Sequence, residues 1–156
     1  MIAIPSQSFA VAYTRGFVWV TSTGHDLLAR VDSRTNKLLS TTKVGKAPRF
    51  LTVGAGSVWT LNQGDGTISR VDARTGQLLA TLDAGLTGAS GEIAYGEGAV
   101  WATLEGFPIT KIDPATNRVV QQWTGKGGDS IRVGLGSVWL TNYDAGLVWR
   151  LRPSLR

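Results

Sequence analysis

Along most of the chain apolar and polar residues alternate in short runs, as in Thr67-Ile-Ser-Arg-Val-Asp72. That period places successive side chains on opposite faces of a half-buried strand. The runs are rich in Val, Thr and Trp, and turn residues punctuate them every 8–12 positions: Gly54-Ala-Gly56, Asp65-Gly66, Thr75-Gly76. These residues supply the left-handed backbone that tight hairpins require. No segment sustains a helical period. The pattern therefore predicts an all-β chain of short antiparallel strands joined by hairpins.

The pattern also repeats. Gly56-Ser-Val-Trp-Thr-Leu-Asn62 returns as Gly136-Ser-Val-Trp-Leu-Thr-Asn142, with looser copies at Gly16–Ser22 and Gly98–Leu104. The shared tryptophans stand at 19, 59, 101 and 139, so the spacings are 40, 42 and 38 residues. A second marker follows each of the first three: Arg30-Val-Asp-Ser-Arg-Thr-Asn36, Arg70-Val-Asp-Ala-Arg-Thr-Gly76 and Lys111-Ile-Asp-Pro-Ala-Thr-Asn117. Gly45, Gly85 and Gly125 close each unit at intervals of 40. Each unit reads as four strands, A to D from the inside outward; in the second these fall near 49–53, 57–62, 67–72 and 77–82. Four strands per unit of this length is the signature of a β-propeller blade. The expected blades are 7–45, 46–85, 86–125 and 126–156, about four in all. They form either a partial ring or part of a larger seven- or eight-bladed propeller. The fourth blade lacks its D strand, and residues 1–4 are a candidate outer strand for it or for a neighbouring chain's last blade, or else the remnant of a preceding blade.

Most conspicuous residues are thereby assigned to structure. The four repeated tryptophans fill the wedge between neighbouring blades. Asp32, Asp72 and Asp113 form C–D turns, each carboxylate accepting backbone N–H groups.

Val-Trp-x-Thr-Asn, then Gly-x-Ile/Val-x-Arg-Val-Asp-x-x-Thr-Gly, then an apolar strand ending in Gly resembles the YVTN-type β-propeller repeat. It is similar to the repeats of streptogramin (virginiamycin B) lyase-like propellers, over residues 7–152. The resemblance implies a binding or scaffold module, since most such proteins are secreted, periplasmic or surface-layer modules without catalysis. It thus favours an extracytoplasmic location, although no signal peptide is present in this sequence. For the lyase minority it implies magnesium-assisted elimination by histidines and acidic residues around the central channel. With His25 as the sole histidine, that machinery is incomplete here.

Composition narrows the chemistry further. The 156 residues include no Cys and one His, which excludes disulfides, thiolate metal sites, a cysteine nucleophile and any two-His metal motif. No apolar run approaches the roughly 18 residues of a spanning helix. The formal charge is +5, distributed as +5 over residues 1–50, −3 over 51–125 and +3 over 126–156. The basic groups are scattered singly rather than clustered, so a nucleic-acid partner is not expected. The Gly-x-Gly strings at Gly54, Gly96 and Gly134 sit at A–B hairpins and precede no helix, which rules out a dinucleotide fingerprint. Lys126-Gly-Gly-Asp129 lacks Walker spacing, Asn62-Gln-Gly-Asp-Gly66 lacks the distal Glu of a calcium loop, and no Gly-x-Ser-x-Gly elbow occurs.

Functional residues are therefore sought where the repeats disagree, in the B–C and D–A loops that gather at one mouth of a propeller channel. Those positions give His25, Asp26, Asp65, Glu105, Tyr143 and Asp144 in B–C loops. Arg49, Glu92 and Asp129 come from D–A loops or the start of strand A, and Arg132 lies within strand A. They are ligand-binding candidates; no catalytic or metal-binding residue is assigned. The expected ligand is a protein, peptide or glycan, with no cofactor, or Mg or Ca if the chain is lyase-like. Exposed apolar blade faces predict self-association.

Overall fold

A computed structural model describes residues 1–14, 16–85, 91–104 and 107–153. Among the described residues fifteen strands make four antiparallel sheets, each a simple meander. Blade 1 comprises β1 (Ser8–Thr14), β2 (Phe17–Ser22), β3 (Leu27–Asp32) and β4 (Lys37–Lys43). Blade 2 comprises β5 (Pro48–Gly54), β6 (Ser57–Asn62), β7 (Thr67–Asp72) and β8 (Leu78–Asp83). Blade 3 comprises β9 (Ile93–Gly96), β10 (Ala99–Leu104), β11 (Phe107–Asp113) and β12 (Arg118–Trp123). Blade 4 comprises β13 (Ile131–Gly134), β14 (Ser137–Asn142) and β15 (Leu147–Leu151). Among the described residues blade 4 has no fourth strand, and residues 1–5 form none. The inner strands β1, β5, β9 and β13 pack in succession.

Each C–D turn is set by its aspartate. Asp72 Oδ1 accepts the N–H groups of Arg74 (2.9 Å) and Thr75 (2.6 Å) and the Thr75 hydroxyl (2.9 Å). The chain then passes through Gly76 at φ +80°, closing with a Gly76 N–H bond to the Asp72 carbonyl at 2.9 Å. Asp32 and Asp113 repeat the arrangement with Asn36 and Asn117 in the left-handed position, which asparagine tolerates. These backbone N–H bonds hold all three carboxyls below the ordinary carboxylate range.

The blades adhere through their repeated tryptophans. Trp19 lies in a buried cluster with Val58 and Val71 of blade 2, Trp59 with Ile93 and Val100 of blade 3, and Trp101 with Ile131 and Val138 of blade 4. Burial of an indole N–H requires an acceptor. Trp59, Trp101 and Trp139 donate to the carbonyls of Gly54, Gly96 and Gly134 at 3.0–3.2 Å, and Trp19 to the Thr14 hydroxyl at 3.1 Å. A cation from strand C covers each ring: Arg30, Arg70, Lys111 and Arg150, at 4.9–5.9 Å from the centroid. The asparagine closing the Trp motif works at the loop end. Buried Asn62 donates to Thr67 and Ser69 and accepts from Thr60, while Ser69 Oγ receives the N–H of Gly45. The end of one unit is so tied to the middle of the next.

Candidate functional site

The B–C and D–A loops of blades 1 and 2 converge as the sequence predicts, and carboxylates hold them together. Asp26 Oδ1 accepts the Ala47 N–H at 2.9 Å while its Oδ2 pairs with Lys43 at 3.1 Å. That backbone bond first, and Lys43 second, lowers its pKa. Asp65 Oδ2 accepts the Lys46 N–H at 2.7 Å, and its Oδ1 accepts the Thr67 hydroxyl at 2.7 Å. In blade 4, Asp129 Oδ2 takes the Tyr143 N–H at 2.7 Å. A carboxylate occupied by backbone donors is a staple between loops rather than a poised base. His25 shares a 2.9 Å hydrogen bond with the Ser6 hydroxyl through Nε2. Tyr143 and Asp144 are exposed on the last B–C loop. Glu105 lies outside the described residues.

Among the described residues, two concavities are large enough to take a ligand. The first, of 580 Å³, opens between blades 1 and 2 and is lined by Gln7, Phe9, Thr23, Arg49 and Gln63, among others. Phe9 and Phe50 meet edge to face, 5.4 Å between centroids. The Arg49 guanidinium lies 4.5 Å from the Phe9 ring and 5.7 Å from Phe50. Its Nε is inaccessible to solvent and has no hydrogen-bond partner. The second, of 410 Å³, is the axial passage, lined by all four inner strands and including Tyr13, Phe50, Thr52, Glu92, Tyr95 and Arg132. Here Glu92 and Arg132, on adjacent blades, form a 2.6 Å ion pair. Glu92 also accepts the Ser130 hydroxyl and, at 3.3 Å, the Ile131 N–H. Its carboxylate is largely buried by these contacts while Arg132 stays exposed to the passage.

Of the ten sequence candidates, the nine among the described residues thus do not form one site. Arg49 belongs to the interblade cleft, Glu92 and Arg132 to the passage, and Asp26, Asp65 and Asp129 to loop staples. Phe9, Gln7 and Gln63 line the cleft without being among those candidates. The signal for Phe9 is its place opposite Arg49-Phe50 on the neighbouring inner strand. Among the described residues, no three His, Asp or Glu side chains gather as a metal-ligand set.

Four meandering sheets packed side by side through a common Trp wedge, their inner strands around one passage, define a β-propeller of about four blades. Solved structures with this fold include the computationally designed Ika4 protein (TM-score 0.83, 18% identity, 97% of this chain and 95% of that one). BamB from Moraxella catarrhalis matches with TM-score 0.80 and 14% identity over 96% of this chain and 45% of its own. Virginiamycin B lyase from Staphylococcus aureus matches with TM-score 0.73 and 16% identity over 99% of this chain and 59% of its own. The chain thus spans about half the length of the latter two proteins. No protein-family model and no curated protein sequence matches it.

Proposed function

We propose that the chain is a non-catalytic propeller module, for binding or scaffolding, that takes a protein, peptide or glycan ligand at its loop-lined mouth without a cofactor. The observation that carries this reading is the cleft between blades 1 and 2. There the Arg49 guanidinium, stacked on Phe9 and Phe50, lines an apolar recess beside two side-chain amides, Gln7 and Gln63. Aromatic faces with a few polar groups are the usual composition of a recognition cleft. The loop carboxylates that catalysis would need are bonded to backbone N–H groups instead.

Screening the purified chain against peptide and glycan arrays tests the reading. A binder should lose about tenfold in affinity on Arg49→Gln, since a charged hydrogen bond contributes roughly 1.5–3 kcal/mol, and a similar loss is expected for Phe9→Ala. Binding indifferent to both substitutions would place the site elsewhere. Titration with Mg or Ca should leave the melting temperature unchanged; a rise at millimolar metal would show a native-state metal site and favour the lyase-like alternative.

A further inference from the structure

The blade interface occurs three times within the chain and is built from recurring contacts. At the inner strand, a side chain of the following blade lies over a glycine. A Cβ at Gly54 would fall 1.9 Å from the Tyr95 ring, and one at Gly96 would fall 2.6 Å from Val133. In the middle, Trp19, Trp59 and Trp101, at most 2% exposed, share buried clusters with Val58, Val100 and Val138, at most 1% exposed. At the outer edge, the arginine covering the Trp donates to the next C–D turn. Arg30 reaches the Arg74 carbonyl at 2.6 Å, and Arg70 reaches the Pro114 carbonyl at 2.6 Å and Asn117 Oδ1 at 2.7 Å.

A fourth copy of this interface is present as two unjoined halves. On blade 4, a Cβ at Gly134 would meet nothing within 4 Å, Trp139 is only half-buried, and Arg150 is exposed, its Nε donating to Ser137 of its own blade. On blade 1, Tyr13, the counterpart of Tyr95, is 82% exposed, and Val18, the counterpart of Val58, is half-buried. The turn Ser33–Asn36 is exposed throughout, whereas Gly76 of blade 2 is buried. Val31 on this flank is buried even so. Among the described residues no buried cluster joins blades 4 and 1.

We propose that the two halves meet across chains. The free flank of blade 4 docks on blade 1 of a second copy, Tyr13 over Gly134, Trp139 against Val18 and Arg150 on the Ser33–Asn36 turn. The reciprocal contact then closes an eight-bladed ring from two chains. The occupant is a second copy because the contact continues an interface this sequence already makes three times. Closure within one chain would instead require those three close-packed interfaces to rotate together. A heterologous contact of this kind closes when the rotation per blade divides the circle. The competing arrangement is one chain closing on itself.

The chain has no cysteine, so the test is clean. Light scattering should give 33.2 kDa, twice the chain mass of 16.6 kDa. Both flanks belong to basic segments, so raising salt should tighten the dimer. Gly134→Val, placed where there is free space, should keep the circular dichroism spectrum and melting temperature of the parent monomer yet abolish the dimer. Tyr13→Cys and Gly134→Cys, purified separately and mixed, should form a disulfide-linked dimer that neither gives alone. A 16.6 kDa particle at all concentrations would overturn the proposal. So would a chain carrying both Tyr13→Cys and Gly134→Cys whose disulfide forms only within that one chain.

Discussion

At the scale of single residues, the aspartates of the C–D turns show how a sequence motif becomes a titratable contribution to stability. Their pKa values are lowered in the folded state by backbone N–H donors. Their contribution is therefore complete above the unfolded value, near 3.9, and is lost as pH falls through the folded one. The melting temperature should be flat from neutral pH to about 5 and fall steeply below about 4. Asp72→Asn should lower the melting temperature at pH 7 and flatten the acid limb, which a pH series of calorimetric scans would show; an unchanged limb would mean the turn bonds do not survive in solution. The motif made these three turns legible at once, because donor and acceptor lie within three residues of each other. Arg49 was legible only as a deviation, since its ring partner Phe9 stands forty residues away on another blade.

At the scale of the strand and blade, hairpin chemistry fixed the boundaries closely. The expected strands 57–62 and 67–72 match β6 and β7, and 49–53 and 77–82 differ from β5 and β8 by one residue at each end that moves. The Gly-x-Gly strings hold a distinction that local reasoning could not reach. The second glycine, such as Gly56 at φ +68°, turns the hairpin. The first, Gly54, instead makes room for Tyr95, forty-one positions on. Gly54→Ala should therefore destabilise the fold although alanine suits a strand better than glycine, because the Tyr95 ring attached to β9 must shift. Urea unfolding would measure it, and a stabilised Gly54→Ala would disprove the close approach. Trp59→Ala should cost about 3–5 kcal/mol. Trp139→Ala should cost distinctly less in a monomeric background such as Gly134→Val, because its ring is only partly buried.

For the molecule as a whole, the packing is graded from centre to ends. β6 is buried along its full length, whereas β1 and β15 are exposed at alternate or more positions. Hydrogen exchange should accordingly be slowest in β6 and β10 and fastest in β1 and β15, with docking of a second copy selectively protecting the last two. Equal protection across all four blades in the Gly134→Val monomer would contradict that gradient. The repeat period revealed the number of blades, yet the relation between the first and last blade was not legible. Ring closure depends on a rotation per blade that no local motif encodes. The Glu92–Arg132 pair was half legible: both residues broke the repeat, but nothing in either blade alone showed that they meet.

The unequal burial of the repeated tryptophans also makes the protein its own optical reporter. Trp19, Trp59 and Trp101 sit in dry wedges and should emit in the blue, beyond the reach of iodide. Trp139, whose ring is partly open to water, supplies a red-shifted and quenchable component along with Trp123 and Trp149. Filling the wedge at Trp139 should move its share of the spectrum to shorter wavelength, and Trp139→Phe should erase that movement. The state of the seam is then readable in a cuvette from intrinsic emission, without a label.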